Sequence, residues 1–206
     1  MDSGPAHRLR SGEARALRWE YIDLDAGIAE LSWSLTEGTF AHGCRGTCGK
    51  KTAGSCPSRR LELAAGMEWA PLEGHHVLVR PKNGTARQVP LTAAAVAQLR
   101  LLRETDEGPN PHGLVWHRPG GSPKTNVDDN VHLRAALSLE GVDRPDATTH
   151  WLRHSYVTLS EHAGIPWAAY SGVSGHSSPE ASDPYRHTLT AEGRRVVESL
   201  ADFVDS

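Results

Sequence analysis

Apolar and polar positions alternate over residues 28–35, where Ile28, Leu31, Trp33 and Leu35 predict a strand with one buried face. Residues 76–80, HVLVR, and 86–91, ARQVPL, read as two further strands. Asn83-Gly84 between them is a hairpin turn signal. Pro90 lacks a backbone donor and so places the end of the returning strand at a sheet edge. Elsewhere the period is helical. Residues 11–19, SGEARALRW, predict a short helix with Leu17 facing inward. Thr92 is placed to cap the helix TAAAVAQLRLLRE through its side-chain oxygen. Residues 127–139 read as helical, and a further helix starts at Thr148 or Thr149 and runs to His162, stopped by Gly164. Pro166 suits the first turn of a short helix. Residues 190–204 predict an amphipathic closing helix with Val197, Leu200, Ala201 and Val204 on one face. Residues 105–126 are a loop rich in Gly, Pro and Asn, with a short LVW strand at 114–116. The order is a helix, a small three-stranded antiparallel sheet, then helices: an α+β fold, mostly α. A Gly- and Cys-rich stretch, residues 38–75, interrupts this order and reads as an insertion.

Composition narrows the class. At 206 residues, 38% hydrophobic and with 20 glycines, the chain suits one packed domain over 1–206 and excludes wholesale disorder. No uncharged apolar run reaches the roughly 18 residues of a membrane-spanning helix. The start, MDSGPAHRLRSGEAR, lacks the apolar region of a secretory signal, so the expectation is a cytoplasmic protein with no membrane partner. The net charge of −3 argues mildly against a nucleic-acid partner. Its distribution changes that picture. Residues 1–100 hold 13 Lys and Arg against 10 Asp and Glu, whereas residues 101–206 hold 9 against 15. Residues 41–60 carry Arg45, Lys50, Lys51, Arg59 and Arg60 and no acid, so part of the surface is basic on an otherwise acidic body.

Candidate chemistry gathers at a few short motifs. His150 and Arg153 stand three apart on the predicted helix, so both can address one ligand. They lie in its first turn, where the partial positive charge of the helix end favours an anion. Gly175-His176-Ser177-Ser178 follows, and Tyr185 lies nine residues beyond His176. Far upstream is Arg10-Ser11-Gly12-Glu13, and Lys82 sits at the predicted hairpin turn. Singly, each has a plain reading: a solvated turn lysine, a packing tyrosine, a surface pair at a helix start. Arg8, Arg15, Arg194 and Arg195 read as solvated. In this order the motifs resemble those of the tyrosine recombinases, also called phage integrases. R-L-R-S-G-E resembles the family's G-L-R-x-G-E, and P-K-N-G-T-A-R-Q-V-P-L its hairpin lysine motif. H-W-L-R-H-S resembles H-D-L-R-H-T, S-G-H-S-S resembles L-G-H-S-S, and S-D-P-Y-R-H resembles the nucleophile motif. The resemblance covers most of residues 8–206 outside the 38–75 insertion. Arg8 replaces the usual Gly, and Ser174 the usual Leu. With Arg10 so near the start, the family's N-terminal core-binding domain is expected to be absent.

The resemblance implies a tyrosine-recombinase catalytic-domain fold and site-specific DNA recombination, of the phage integration and excision type. Tyr185 would attack a scissile phosphate, giving a 3′-phosphotyrosine and a free 5′-hydroxyl. Arg10 and Arg153 would clamp the non-bridging oxygens with planar guanidinium forks. Lys82 would protonate the leaving 5′-oxygen, His150 would act as general base, and His176 would donate a hydrogen bond to the phosphate. Glu13 would orient Arg10 or the nearby backbone. No cofactor is required for this chemistry. The implied partner is double-stranded DNA, with self-association on DNA. An inactive, truncated DNA-binding remnant of an integrase is the alternative. A zinc-dependent hydrolase using some of the 12 histidines is a third reading, lowered by the lack of an H-E-x-x-H pattern.

The three cysteines pose a separate question. They read His42-x-Cys44-x3-Cys48-x7-Cys56. An odd count in a cytosolic chain does not make a disulfide framework. Four soft or borderline ligands can complete a tetrahedral structural zinc site, and a loop this poor in apolar residues needs a staple. His75 or His76 could replace His42, and three unpaired thiols is the competing reading. With zinc, the basic insert would be a knob touching the DNA backbone, outside the catalytic chemistry.

Overall fold

The computed structural model describes residues 10–80, 86–166 and 170. In chain order these form α1 (Ser11–Arg15), a 3-10 turn (Trp19–Tyr21), β1 (Ile22–Asp23), β2 (Ile28–Leu31), β3 (Ser34–Glu37), β4 (Thr39–His42) and a second 3-10 turn (Ala53–Ser55). There follow β5 (Arg59–Glu62), β6 (Trp69–Glu73), β7 (His76–Val79), β8 (Arg87–Pro90), α2 (Ala93–Thr105), α3 (Asn126–Leu139) and α4 (Thr149–His162). Among the described residues no helix is long and apolar enough to cross a membrane.

The single three-stranded sheet expected from the sequence is instead two antiparallel sheets, β1-β2-β8 and β3-β7-β6, with a separate β4-β5 hairpin. The cause lies at Ser32-Trp33, which splits the predicted 28–35 strand. Before the break, β2 pairs with β8, from Ile28↔Pro90 to Leu31↔Arg87. After it, β3 pairs with β7, from Ser34↔Val79 to Glu37↔His76. So β7 and β8 face successive stretches of one bent segment; neither is paired with the other. Ser32 is buried, and its hydroxyl donates to the Glu30 carboxylate. Arg80 lies over the Trp33 ring at 4.1 Å and donates to the Ser32 carbonyl at 3.3 Å, clamping the joint. Pro90 sits on the edge strand β8, as its missing donor requires. Pro71 lies on β6, an edge strand of the second sheet, where the pairing register shifts before Glu73.

The main core joins Leu17, Ala29, Leu31, Val89, Leu99, Val115, Tyr156 and Tyr170. A second cluster of Ala16, Leu35 and Leu78 lies under Trp33 and Leu72. Ala29 and Leu31 are the buried positions of β2, while Ile28 is only half-buried, a one-residue correction to the alternation read from sequence. Helix α1 ends at Arg15 instead of running to Trp19, because the next residues pair with a strand-like segment. The Trp19 N–H donates to Gly113 O, the Val115 N–H donates to Leu17 O, and Arg18 bridges Leu114. The LVW strand expected at 114–116 is reduced to this isolated bridge at Leu114, with Val115 and Trp116 in a bend.

Helix starts follow the sequence closely. Thr92 accepts from the Ala95 N–H at 3.0 Å. Thr125 and Asp128 form a reciprocal capping box on α3, and Asp128 also accepts from Arg118 at 2.8 Å. The start of α4 is tied to α3 by the Thr149 N–H donating to Asn130 Oδ1 at 2.9 Å. Gly164, with φ +68°, follows its end. The helices expected after Pro166 and over 190–204 lie outside the described residues.

Candidate functional site

Arg10 is the N-cap of α1 and Glu13 its third residue. The Glu13 carboxylate accepts from the Arg10 backbone N–H at 3.0 Å and from the Arg10 guanidinium at 3.4 Å. It also accepts two parallel bonds from Arg87, at 2.8 and 2.7 Å. Glu13 is 2% exposed. Burial pushes its pKa upward, but the Arg87 hydrogen bonds and charge, helped by Arg10, outweigh this and hold it below the usual carboxylate range. One buried carboxylate therefore links Arg10, whose side chain is half exposed, to β8. Glu13 was expected to orient Arg10; Arg87 was not anticipated. Its partner is 74 residues away, and no local pattern in ARQVPL marks it.

Arg15, expected to be solvated, is largely buried and pairs with Asp129 of α3 at 3.4 Å. Burial pushes the Arg15 pKa down and the Asp129 pKa up, each against the pull of the partner's charge. The pair ties α1 to α3.

His150 is exposed, one residue into α4. The helix start beside it is held by Asn130 and by Arg144, whose guanidinium lies 4.3 Å over the Trp151 ring. Arg153 lies on α4 one turn before Tyr156, which packs in the main core with Leu17. The Arg153 side chain lies outside the described part of the chain, as do Lys82, His176 and Tyr185. The described residues thus bring Arg10, Glu13 and Arg87 together and root α1 and α4 in one core.

The second constellation lies at the β4-β5 hairpin. His42, Cys44, Cys48 and Cys56 place one ligand atom each within 4.8 Å of one another. His42 Nδ1 lies 3.7 Å from Cys44 Sγ and 3.4 Å from Cys48 Sγ. Hydrogen bonds from Cys48, side chain and backbone, lower the Cys44 pKa to about 5, with His42 and Cys56 adding to the effect. The Cys48 thiol is held above its ordinary value: its neighbours Cys44 and Cys56 and its burial outweigh a backbone bond from Lys50. His75 and His76 belong to a different group, with Glu37. Their rings stack at 4.6 Å.

Known proteins are similar to this chain in sequence and in fold. The model of the "Phage integrase family" matches residues 58–192. An integrase of Saccharopolyspora erythraea is 23% identical over 94% of the chain, which spans about half that relative's length. The fold is similar to that of the Tn1549 transposon integrase solved in complex with transposon right-end DNA (TM-score 0.57, 17% identity, 93% of this chain and 56% of that one). It is also similar to the XerH site-specific recombinase bound to difH substrate (TM-score 0.52, 18% identity, 93% and 39%).

Proposed function

Because the chain belongs to the phage integrase family, we propose that it is the catalytic domain of a site-specific DNA recombinase acting through a covalent phosphotyrosine. The observation that carries this reading is the family match over residues 58–192, which takes in Lys82, His150, Arg153, His176 and Tyr185 in order. Arg10 lies upstream of that match, in the R-L-R-S-G-E string.

Each residue has a role its chemistry suits. The Tyr185 phenolate displaces the 5′-oxygen of a scissile phosphodiester; the P–O bond to the tyrosine forms as the bond to the leaving oxygen breaks. His150 takes the phenol proton, and Lys82 supplies one to the departing 5′-oxygen. Arg10 and Arg153 hold the non-bridging oxygens, and His176 adds a hydrogen bond to the charge that grows in the transition state. The phosphodiester energy is kept in the new bond, so rejoining is the same step reversed, with no nucleotide cofactor. Glu13 and Arg87 are positioning residues: the buried carboxylate orders the Arg10 backbone and side chain before DNA arrives. Double-stranded DNA is the proposed partner, and self-association is proposed to occur on it. A structural metal at the cysteine cluster is compatible with this scheme and takes no part in the chemistry.

A nicked duplex of randomised sequence, whose cleaved end diffuses away, tests this reading. The expected result is a denaturation-resistant protein–DNA adduct that forms in chelator and disappears in Tyr185→Phe. A mobility shift without any adduct would instead identify a DNA-binding remnant. Cleavage lost in chelator but kept in Tyr185→Phe would identify a metal-dependent hydrolase.

A further inference from the structure

Every residue from Thr36 to His76 is described, and the sole fully buried one is Cys56. This part of the chain has no hydrophobic core of its own. Its β4-β5 hairpin rests on four residue pairs, and a two-stranded hairpin alone is marginally stable in water. Yet the connection between these strands bends sharply: Arg45 has φ +52°, Gly46 +88° and Gly49 +61°. Gly43 is equally constrained, because a Cβ there would strike the Ser58 carbonyl. These bends converge on the four ligand atoms of His42, Cys44, Cys48 and Cys56, one from the end of β4 and three from the connection.

The spacing suits a particular ion. Zinc lies about 2.3 Å from thiolate sulfur and about 2.0 Å from imidazole nitrogen, so a tetrahedral site has a nitrogen–sulfur edge of roughly 3.5 Å and a sulfur–sulfur edge of roughly 3.8 Å. The two His42–Cys separations, 3.4 and 3.7 Å, bracket the nitrogen–sulfur edge. We propose that His42 Nδ1 and the sulfurs of Cys44, Cys48 and Cys56 bind one structural Zn²⁺, which replaces the missing core of this segment. On binding, the thiols that carry protons release them to solvent and coordinate as thiolates, and His42 coordinates as neutral imidazole with its proton on Nε2. The quartet ends before residue 58, where the family match begins, and the proposal is independent of the reaction assigned to Tyr185.

The test uses the whole 206-residue chain, purified under reductant, with Zn²⁺ and Co²⁺ as probes. About one equivalent of zinc is expected per chain. The Co²⁺ form should show the visible bands of a tetrahedral ion and a strong thiolate-to-cobalt charge-transfer band. Cys44→Ser and Cys48→Ser, at half-buried positions, should each lower affinity by more than the roughly 10–100-fold typical of losing an outer-shell partner. The double variant His75→Ala/His76→Ala should bind as tightly as the parent. Should a serine variant fail to fold, the charge-transfer band of the parent chain still decides. Absence of that band, or metal retained in both serine variants and lost with His75 and His76, overturns the proposal.

Discussion

At the scale of single residues, Glu13 bears the most weight. It is buried and bonded to two arginines, so removing its charge leaves Arg87 inside the protein without a counter-ion. Glu13→Gln is expected to cost about 3 kcal/mol in urea unfolding, the lower end for breaking a buried ion pair, because the Arg87 side chain is one-fifth exposed. The pH dependence has a definite sign. The folded pKa lies below the unfolded one, so the stabilisation is complete above about pH 4.3 and is lost as pH falls through the folded value. The stability gap between the parent and Glu13→Gln should therefore narrow on acidification; a gap independent of pH would remove Glu13 as the charged link. The motif around Glu13 was legible because a local string carries it. Arg87 was not, because its role comes from strand register: β8 lies beside β2, and that pairing is set by distant contacts. Arg15 misled for the same reason, since its partner Asp129 belongs to a helix more than a hundred residues away.

At the scale of elements, the helices over 93–105, 126–139 and 149–162 were read well, and α1 and the sheets less so. The start of α2 follows from Thr92 and the end of α4 from Gly164, both local signals. Thr92→Ala should cost about 1 kcal/mol in the same unfolding measurement, and no change would mean that the cap contributes nothing. Strand partners depend on the whole chain, and the Ser32-Trp33 break is held by Arg80, which no alternation pattern identifies. The link between α2 and α3 contains a second switchable contact. His117 Nε2 lies 2.8 Å from Asp106 and Nδ1 2.8 Å from the Arg118 carbonyl. Burial opposes the charged ring, but the Arg118 and Asp106 contacts prevail and raise its pKa. This contribution is complete below about pH 6.5 and is lost as pH rises through the folded value. Asp106→Asn should thus destabilise the chain more at about pH 6 than at about pH 8.5. An equal loss at both would contradict the assignment.

At the scale of the molecule, charge is segregated while the total is slightly negative. The segment 41–60 exposes Arg45, Lys50, Lys51, Arg59 and Arg60, and Arg59 is steadied over Phe40 at 5.0 Å. On a DNA-binding domain such a knob contributes through counterion release. Lys50→Ala/Lys51→Ala should weaken binding to duplexes of any sequence and reduce the slope of log affinity against log salt by about 1 for each phosphate left without its lysine. An unchanged slope would take this segment off the DNA. The family was legible from motif order, because the motifs are short local strings that do not depend on the surrounding packing. The central claim is the covalent step, and its most direct measurement is mass mapping of the trapped species after nuclease and protease digestion. The account predicts a nucleotide 3′-phosphate esterified to the Tyr185 oxygen. A nucleotide linked to any other residue, or no linked peptide from a chain that binds DNA, would contradict it.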